Sequence, residues 1–510
     1  MEKWKNRFPL LILILAICST FIFNAPHLNE LPTHRHAWSQ FDHHAISHGF
    51  VDNNLDFFHP QTNTKLLYPW DSDSAKQHFS YITSVDFPIH QYLPAVSMKI
   101  SGNKAPIHNR LYTYIYSLIG IFFLYKLSKL LIENRYLAII PSLFLNFSPI
   151  FAYYQVGILP SIPSLSNFII GTYFFIRYTQ ENQRKYWIVS LIFITLAVLA
   201  RTSFLFLFLS ILLVEFIRLI RTKQSLGFYF LSGISALAML GIYYGYNYHL
   251  RTTYGTIFLN HLAYTTDLNQ FMEVLNKTLS LWKFDYFTSF QFVLMALIVV
   301  YSLVLHWKSL NKTNLGLAVL FLLSGIAFFV LMELQFADHN YYFLDSFMFP
   351  ILFLIVVLLA SIQPRKGLQL VTIILVLAIF VNGFDKVNRS IKIAYERVAW
   401  DVNLPTYEAF KSSKKLLDQH QIPLDATILC YNAYIPSLPF YFMERKGLPI
   451  TLDEELFVRD SHNWGFDYMV FQNQFFAEKT ESLYPEIMDH FEIIATDGKI
   501  TLCKKKRTSN

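Results

Sequence analysis

The chain has 510 residues, of which 54% are hydrophobic, 17% aromatic and only 15% charged. A soluble domain carries nearer a quarter charged residues, so this composition excludes a wholly water-soluble globule and makes lipid the main solvent. The formal net charge of +7 has no basic-aromatic repeat behind it, which argues against a nucleic-acid partner and for contact with anionic membrane lipids.

In chain order, apolar stretches near bilayer length predict helices at about 8–25, 111–132, 136–154, 163–178, 187–200, 203–220, 228–247, 290–307, 316–333, 347–361 and 369–385. The chain is therefore expected to be a polytopic α-helical membrane protein with about eleven transmembrane helices. Alternate connections carry the basic residues: Lys3, Lys5 and Arg7; Lys126, Lys129 and Arg135; Arg177, Arg184 and Lys185; Arg218, Arg221 and Lys223; Lys308 and Lys312; Arg365 and Lys366. The connections Pro149–Pro163 and Glu333–Ser346 carry no Lys or Arg. Short basic loops stay in the cytoplasm, so the N-terminus is expected inside and everything after Phe384 outside, the periplasmic side of an inner (cytoplasmic) membrane. The opening segment resembles a signal peptide, but no small-x-small site follows at Asn24–Leu28, and it reads as a retained anchor.

Three exterior regions stand out: a large first loop, Ala25–His108, rich in His, Asp and aromatic residues; His249–Gln291; and the tail from Asp385. Within the first loop, Ile82–Ile100 is amphipathic enough to lie on a membrane surface. In the tail, Pro405–Gln421 has a helical pattern, ATILCYNA and FDYMVFQ read as strands, and FEIIATDGKITLCKK reads as a hairpin around Asp497-Gly498. This divides the chain into a membrane module, 1–385, with exterior loop 25–108, and a small soluble exterior α/β domain, 386–510. The tail shows no nucleotide loop, metal-ligand spacing or nucleophile elbow, which favours a structural or acceptor-binding role. Its Cys430 and Cys503 suit a disulfide in an oxidising compartment or two buried free thiols, and spacing does not choose between them.

Ionisable residues held at a membrane boundary are costly and mark functional sites. Asp42, in WSQFDHH, follows the first helix, and Trp38 and Phe41 are expected to hold it against the membrane surface, where partial desolvation raises a carboxyl toward a working general base. Asp86, in VDFPIHQYLPA, is the second acid; it also reads as the cap of a helix starting near Pro88. Arg201, between two apolar helices, and Arg110 are candidate cations for a phosphate, against the plainer reading of helix-end residues. The loop QFADHNYYFLDSF brings Asp338, His339, Tyr341, Tyr342 and Asp345 between two helices, as a cavity lining or an interfacial aromatic belt.

The pattern Trp38-x-x-x-Asp42, then Asp86-Phe87-Pro88, Gln91-Tyr92 and Arg110, resembles the GT-C superfamily, in particular the protein O-mannosyltransferase and lipid A aminoarabinose transferase group. Ser148-Pro149-Ile150-Phe151, Tyr153-Tyr154 and Ala200-Arg201-Thr202 extend the likeness over about residues 1–250. The resemblance implies an integral-membrane inverting glycosyltransferase, moving a sugar from a polyprenyl-phosphate-linked donor to a glycan, lipid or protein acceptor on the exterior face. It implies Asp42 as general base, Asp86 as the second catalytic acid, Arg201 and Arg110 at the donor phosphate, and Trp38, Tyr92, Asp338, His339 and Tyr342 at the substrates. Two departures touch the acceptor side: Asp86 stands where relatives often have Glu, and Pro160-Ser161 where they often have Pro-Asp. Some relatives bind a divalent metal through a His in the place of His261, but the cluster His34, His36, His43, His44 and His48 matches no closed tetrahedral motif, and no metal ligands are assigned. The alternative reading is a multi-pass secondary transporter of a polar solute; such proteins show internal repeats and matched broken helices, and none is visible.

Overall fold

The computed structural model describes residues 8–66, 80–225, 227–258, 261–362, 368–396, 402–451, 458–459 and 461–506. Of the topogenic residues, Lys3, Lys5, Arg7, Arg365 and Lys366 lie outside this set. The chain forms two compact units: Met1–Asn29, Arg110–Tyr244 and Asn260–Ile393 make one, and Glu30–Asn109, Gly245–Leu259 and Ala394–Asn510 make the other.

In chain order the helices are α1 (Phe8–Asn24), α2 (Ala37–Asp52), α3 (Ile89–Ser101), α4 (Ile107–Leu131), α5 (Ile140–Asn146), α6 (Pro149–Tyr154), α7 (Ser161–Glu181), α8 (Arg184–Ala200), α9 (Phe204–Thr222) and α10 (Gly227–Tyr254). Then follow α11 (Leu268–Tyr286), α12 (Ser289–Leu305), α13 (Lys312–Phe336), α14 (Tyr342–Ser346), α15 (Met348–Ala360), α16 (Leu368–Glu396), α17 (Asn403–Phe410), α18 (Ser413–Gln419) and α19 (Ser437–Met443).

The first unit is a helical membrane module. Each apolar stretch seen in the sequence falls on helix, but α1, α4, α10, α13 and α16 alone among the described residues are single helices long and apolar enough to cross a bilayer, and α11 with α12, bent by 92°, count as a sixth. The other segments differ for readable reasons. The stretch at 136–154 is broken at Phe147–Pro149, where the Ser148 hydroxyl accepts from the Phe151 amide and Pro149 begins α6. In α9 the apolar face is interrupted by Glu215 and Arg218, which pair at 2.8 Å, and α15 has only 13 residues. Two of the polar side chains in the helices bond to the backbone of neighbouring helices, which lipid favours: the Asn146 amide donates to Ala16 O at 3.0 Å and Gln291 to Phe144 O at 3.0 Å.

The second unit is built on a five-stranded sheet of order β2-β1-β3-β5-β4. The strands are β1 (Thr427–Tyr431), β2 (Lys446–Ile450), β3 (Tyr468–Gln472), β4 (Phe491–Thr496) and β5 (Ile500–Lys505). β2, β1 and β3 run parallel, and β5 pairs antiparallel with both β3 and β4. The expected hairpin forms at Asp497-Gly498, with Gly498 at φ +89° and the Asp497 carboxylate accepting from the Lys499 and Ile500 amides at 2.9 Å. Cys430 packs with Ile428, Val470 and Leu502 on one face of the sheet, and Cys503 with Leu429, Met469 and Phe471 on the other. The two thiols are free and the sheet separates them, so no disulfide links them.

The first exterior loop is built into this unit. Lys65 N donates to Gly447 O at 3.0 Å and Gly447 N to Asn63 O at 3.1 Å, so residues around Thr64 lie alongside β2. A Cβ on Gly447 would come 1.9 Å from Ile428 O and 2.5 Å from the Phe440 ring, so this close packing requires glycine. The WSQFDHH segment, expected as a loop on the membrane surface, instead lies in the N-terminal half of α2. Phe41 is buried against Ile435 and Leu438, and Trp38 packs with Ile46, Val85 and Ile257. Apolar side chains of the same unit take the place that membrane was expected to fill.

Candidate active site

Asp42 sits on the inner face of α2 and is 1% exposed. Its Oδ1 accepts from the Ser437 hydroxyl at 2.8 Å, and its Oδ2 is buried without a hydrogen bond of good geometry among the described residues. Burial drives its pKa up to about 8, against the pull of hydrogen bonds from the Ser437 and Trp38 side chains. Neighbouring groups are anchored: Gln91 Nε2 lies 2.7 Å from His43 Nδ1, His44 Nδ1 lies 2.9 Å from Asn109 Oδ1, and Asn109 Nδ2 donates to Ser47 Oγ at 2.8 Å. His48 faces the Lys104 carbonyl at 2.8 Å, and burial lowers its pKa to about 4; burial takes His90 to about 3. Among the described residues no group of three or more His, Cys, Asp or Glu side chains is placed to hold a metal, and His261 is exposed.

Asp86 is half-buried at a bend before α3. The cap position of that helix is taken by Pro88, which has no side-chain cap hydrogen bond. Tyr92 packs edge-on against Phe50 at 5.4 Å and Phe57 at 5.1 Å, an apolar contact within the same cluster as Trp38.

In the membrane unit a second cluster forms around Arg201, at the extended link between α8 and α9. Its Nη2 donates to Ser161 Oγ at 3.0 Å, its Nε lies 3.1 Å from Asp345 Oδ2, and its guanidinium lies 5.3 Å from the Tyr341 ring centre. Ser161 Oγ donates in turn to Asp345 Oδ2 at 3.2 Å. Asp345 is 2% exposed; burial lifts its carboxyl to about 6, held back by Arg201 first and Ser161 second. His339 stacks on Tyr342 at 5.3 Å, its Nδ1 3.1 Å from the Gln335 carbonyl, and burial lowers its pKa. Tyr154 OH donates to Asn340 Oδ1 at 3.1 Å. Asp338, from the same loop, is largely exposed and pairs with Lys277 at 3.6 Å. Arg110 is buried and donates to the Val156 carbonyl at 2.8 Å.

Two side chains of the candidate site have no signal in the sequence that links them to their partners. Ser437 carries no local signal, since it meets Asp42 across 395 positions of sequence. Asp345 lay in a loop that had been singled out, but nothing in the sequence paired it with Arg201.

Residues 86–244 match the family described as dolichyl-phosphate-mannose-protein mannosyltransferase. The structure is similar to ArnT from Cupriavidus metallidurans in the apo state, at 11% identity and TM-score 0.58 over 98% of each chain. The chain has the GT-C fold. It is also similar to ArnT bound to undecaprenyl phosphate (10% identity, TM-score 0.57, 98% of each chain). With the mycobacterial arabinofuranosyltransferase AftD the TM-score is 0.56 at 10% identity, over 99% of this chain and 40% of AftD. No curated protein matches in sequence. The likeness in fold covers nearly the whole chain, beyond residue 250, and the protein is a multi-pass membrane protein.

Proposed function

We propose that this GT-C protein is an inverting glycosyltransferase that takes a sugar from a polyprenyl-phosphate donor and delivers it to an acceptor hydroxyl on the exterior face. One observation carries the reading: Asp42 is a fully buried carboxyl with a pKa raised to about 8 and, among the described residues, no charged group as a cause of that shift, the condition of a general base. The acceptor hydroxyl gives its proton to Asp42 while its oxygen bonds the anomeric carbon. The bond from that carbon to the phosphate oxygen breaks, and polyprenyl phosphate leaves with the electron pair. For the donor phosphate we assign Arg201 of the membrane unit, which Asp345 and Ser161 hold, since a cation stabilises the charge that develops on a leaving phosphate. The match to a mannosyltransferase family and the likeness to a protein solved with undecaprenyl phosphate support a lipid-linked donor.

The test is to supply the full-length protein in membranes with radiolabelled polyprenyl-phosphate sugars and follow release of polyprenyl phosphate. Donor-dependent release upholds the reading. Uptake of labelled solute without release favours a transporter instead. Sidedness is checked by cysteine labelling at the largely exposed Asp338 and at exposed Lys185. Position 338 should label from outside and position 185 from inside.

A further inference from the structure

We propose that Ser437, carried by the C-terminal α/β layer with Thr64 behind it, is a positioning residue that orients Asp42 and favours its ionised form. The inference rests on the reading of Asp42 as the base. It makes the C-terminal layer a working part of the reaction and not only a support or an acceptor platform.

Ser437 is fully buried and held from two sides. The Asn63 amide donates to the Ser437 carbonyl at 3.0 Å, and the Thr64 hydroxyl lies 3.3 Å from Ser437 Oγ. Asn63 and Lys65 are in turn hydrogen-bonded to Gly447 in β2, so the loop that meets Ser437 is fixed to the sheet. A serine hydroxyl has one proton, and when Asp42 is ionised that proton goes to Oδ1. The remaining lone pairs of Ser437 then accept from Thr64. All donors in the chain Thr64 to Ser437 to Asp42 point toward the carboxylate, an arrangement that stabilises negative charge there.

Among the described residues no charged group is a main cause of the Asp42 shift. Among the described residues, the titratable and cationic groups on segments packed against α2 include His90, Tyr92 and Lys99 on α3, Tyr407 on α17, Tyr441 on α19, and Lys65 and Lys104 in the loops, with His43, His44, His48 and Asp52 on α2 itself. Burial, Ser437 and Trp38 account for the position of Asp42, and His48 and His90 stay neutral at working pH. The Ser437 hydroxyl is therefore the main force opposing desolvation.

The experiment uses the full-length protein in lipid nanodiscs, with variants Ser437→Ala, Ser437→Thr and Asp42→Asn. Two readouts run from about pH 5 to about pH 9: kcat/KM for polyprenyl phosphate release, and melting temperature. Loss of one hydrogen bond to a carboxylate should move the acidic limb of the Ser437→Ala profile up by about one pH unit, with the plateau regained at alkaline pH. Ser437→Thr, which keeps a hydroxyl, should restore the limb. The melting temperature needs no substrate. Asp42 has a raised pKa in the folded state, so wild-type stability should fall as pH rises toward about 8, the fall should run to higher pH in Ser437→Ala, and it should be absent in Asp42→Asn. If Ser437→Ala keeps the wild-type limb and the wild-type melting profile while Asp42→Asn is inactive, Ser437 is merely structural and the base survives. If Asp42→Asn turns over normally the base reading fails, and the melting profiles alone then decide whether Ser437 holds the Asp42 charge.

Discussion

Asp42 and Asp345 are both almost wholly buried, yet they are held differently. Asp345 has Arg201 at 3.1 Å, and its carboxyl rises only to about 6; Asp42 has hydroxyl and indole donors but, among the described residues, no cation, and rises to about 8. Equal desolvation is thus tuned by the neighbour, and the neighbour decides the work each acid is suited to. An acid locked to a cation is a structural counter-ion that fixes where the cation stands. An acid with no cation can exchange a proton near neutral pH, which a general base must do.

The largest expected break in this comparison is at Asp42. Asp42→Asn should lower turnover by about a hundred- to ten-thousand-fold with the protein still folded and membrane-inserted. It should also remove part of the pH dependence of stability. The neutral carboxyl is favoured in the fold, so its contribution is complete below the unfolded value of about 4 and is lost as pH rises through about 8. Melting curves of wild type and variant should therefore converge or cross as pH rises. A constant gap across that window would mean that Asp42 is not protonated in the fold.

The next effect is at Asp345. Asp345→Asn leaves a largely buried guanidinium without its counter-ion, at a cost of about 2–3 kcal/mol, less than for a fully buried pair because Arg201 is 16% exposed. Ser161 lies within hydrogen-bond reach of Arg201, so Ser161→Asp in the Asp345→Asn background puts the acid back beside the same cation. Chemical denaturation and turnover should both recover at least half the loss. No recovery would show that Asp345 does more than balance charge.

How much of this was legible in the sequence follows from distance along the chain. Helix positions were readable because lipid imposes long apolar runs, and the break at 147–149 was announced by Ser148-Pro149 but hidden inside an apolar stretch. Strands β1, β3, β4 and β5 were visible from alternation and the Asp-Gly turn. β2, with sequence KGLPI, was not, because Gly and Pro read as turn residues until the close approach to Ile428 is seen. Asp42 stood out by its aromatic neighbours, though Trp38 and Phe41 pack within the protein. The partners Ser437 and Asp345 are long-range contacts with no local pattern, and single-sequence reading has no access to them.

Arg201 itself should respond more mildly than Asp42. Arg201→Ala should cost about ten- to a hundredfold in kcat/KM for donor release, the worth of a charged hydrogen bond, and Arg201→Lys should recover part of it because a point charge still attracts phosphate. Equal Ala and Lys values at subsaturating donor would leave Arg201 as a structural residue for Asp345.

The smallest effect sharpens the comparison from the opposite side. Asp338 lies in the same loop as Asp345, but its side chain is 61% exposed and its partner Lys277, at 3.6 Å, is 56% exposed. Water already solvates both charges and salt screens them, so Asp338→Asn should change stability by less than about 0.5 kcal/mol and leave the pH dependence of melting as in wild type. Turnover should change less than about twofold on the same physical ground, although the sequence alone had suggested that Asp338 meets substrate. A loss in kcat/KM as large as that of Arg201→Ala, with stability untouched, would mean that Asp338 contacts a bound sugar or phosphate. The line between a working acid and a solvated one would then have to be drawn by access to substrate and not by burial.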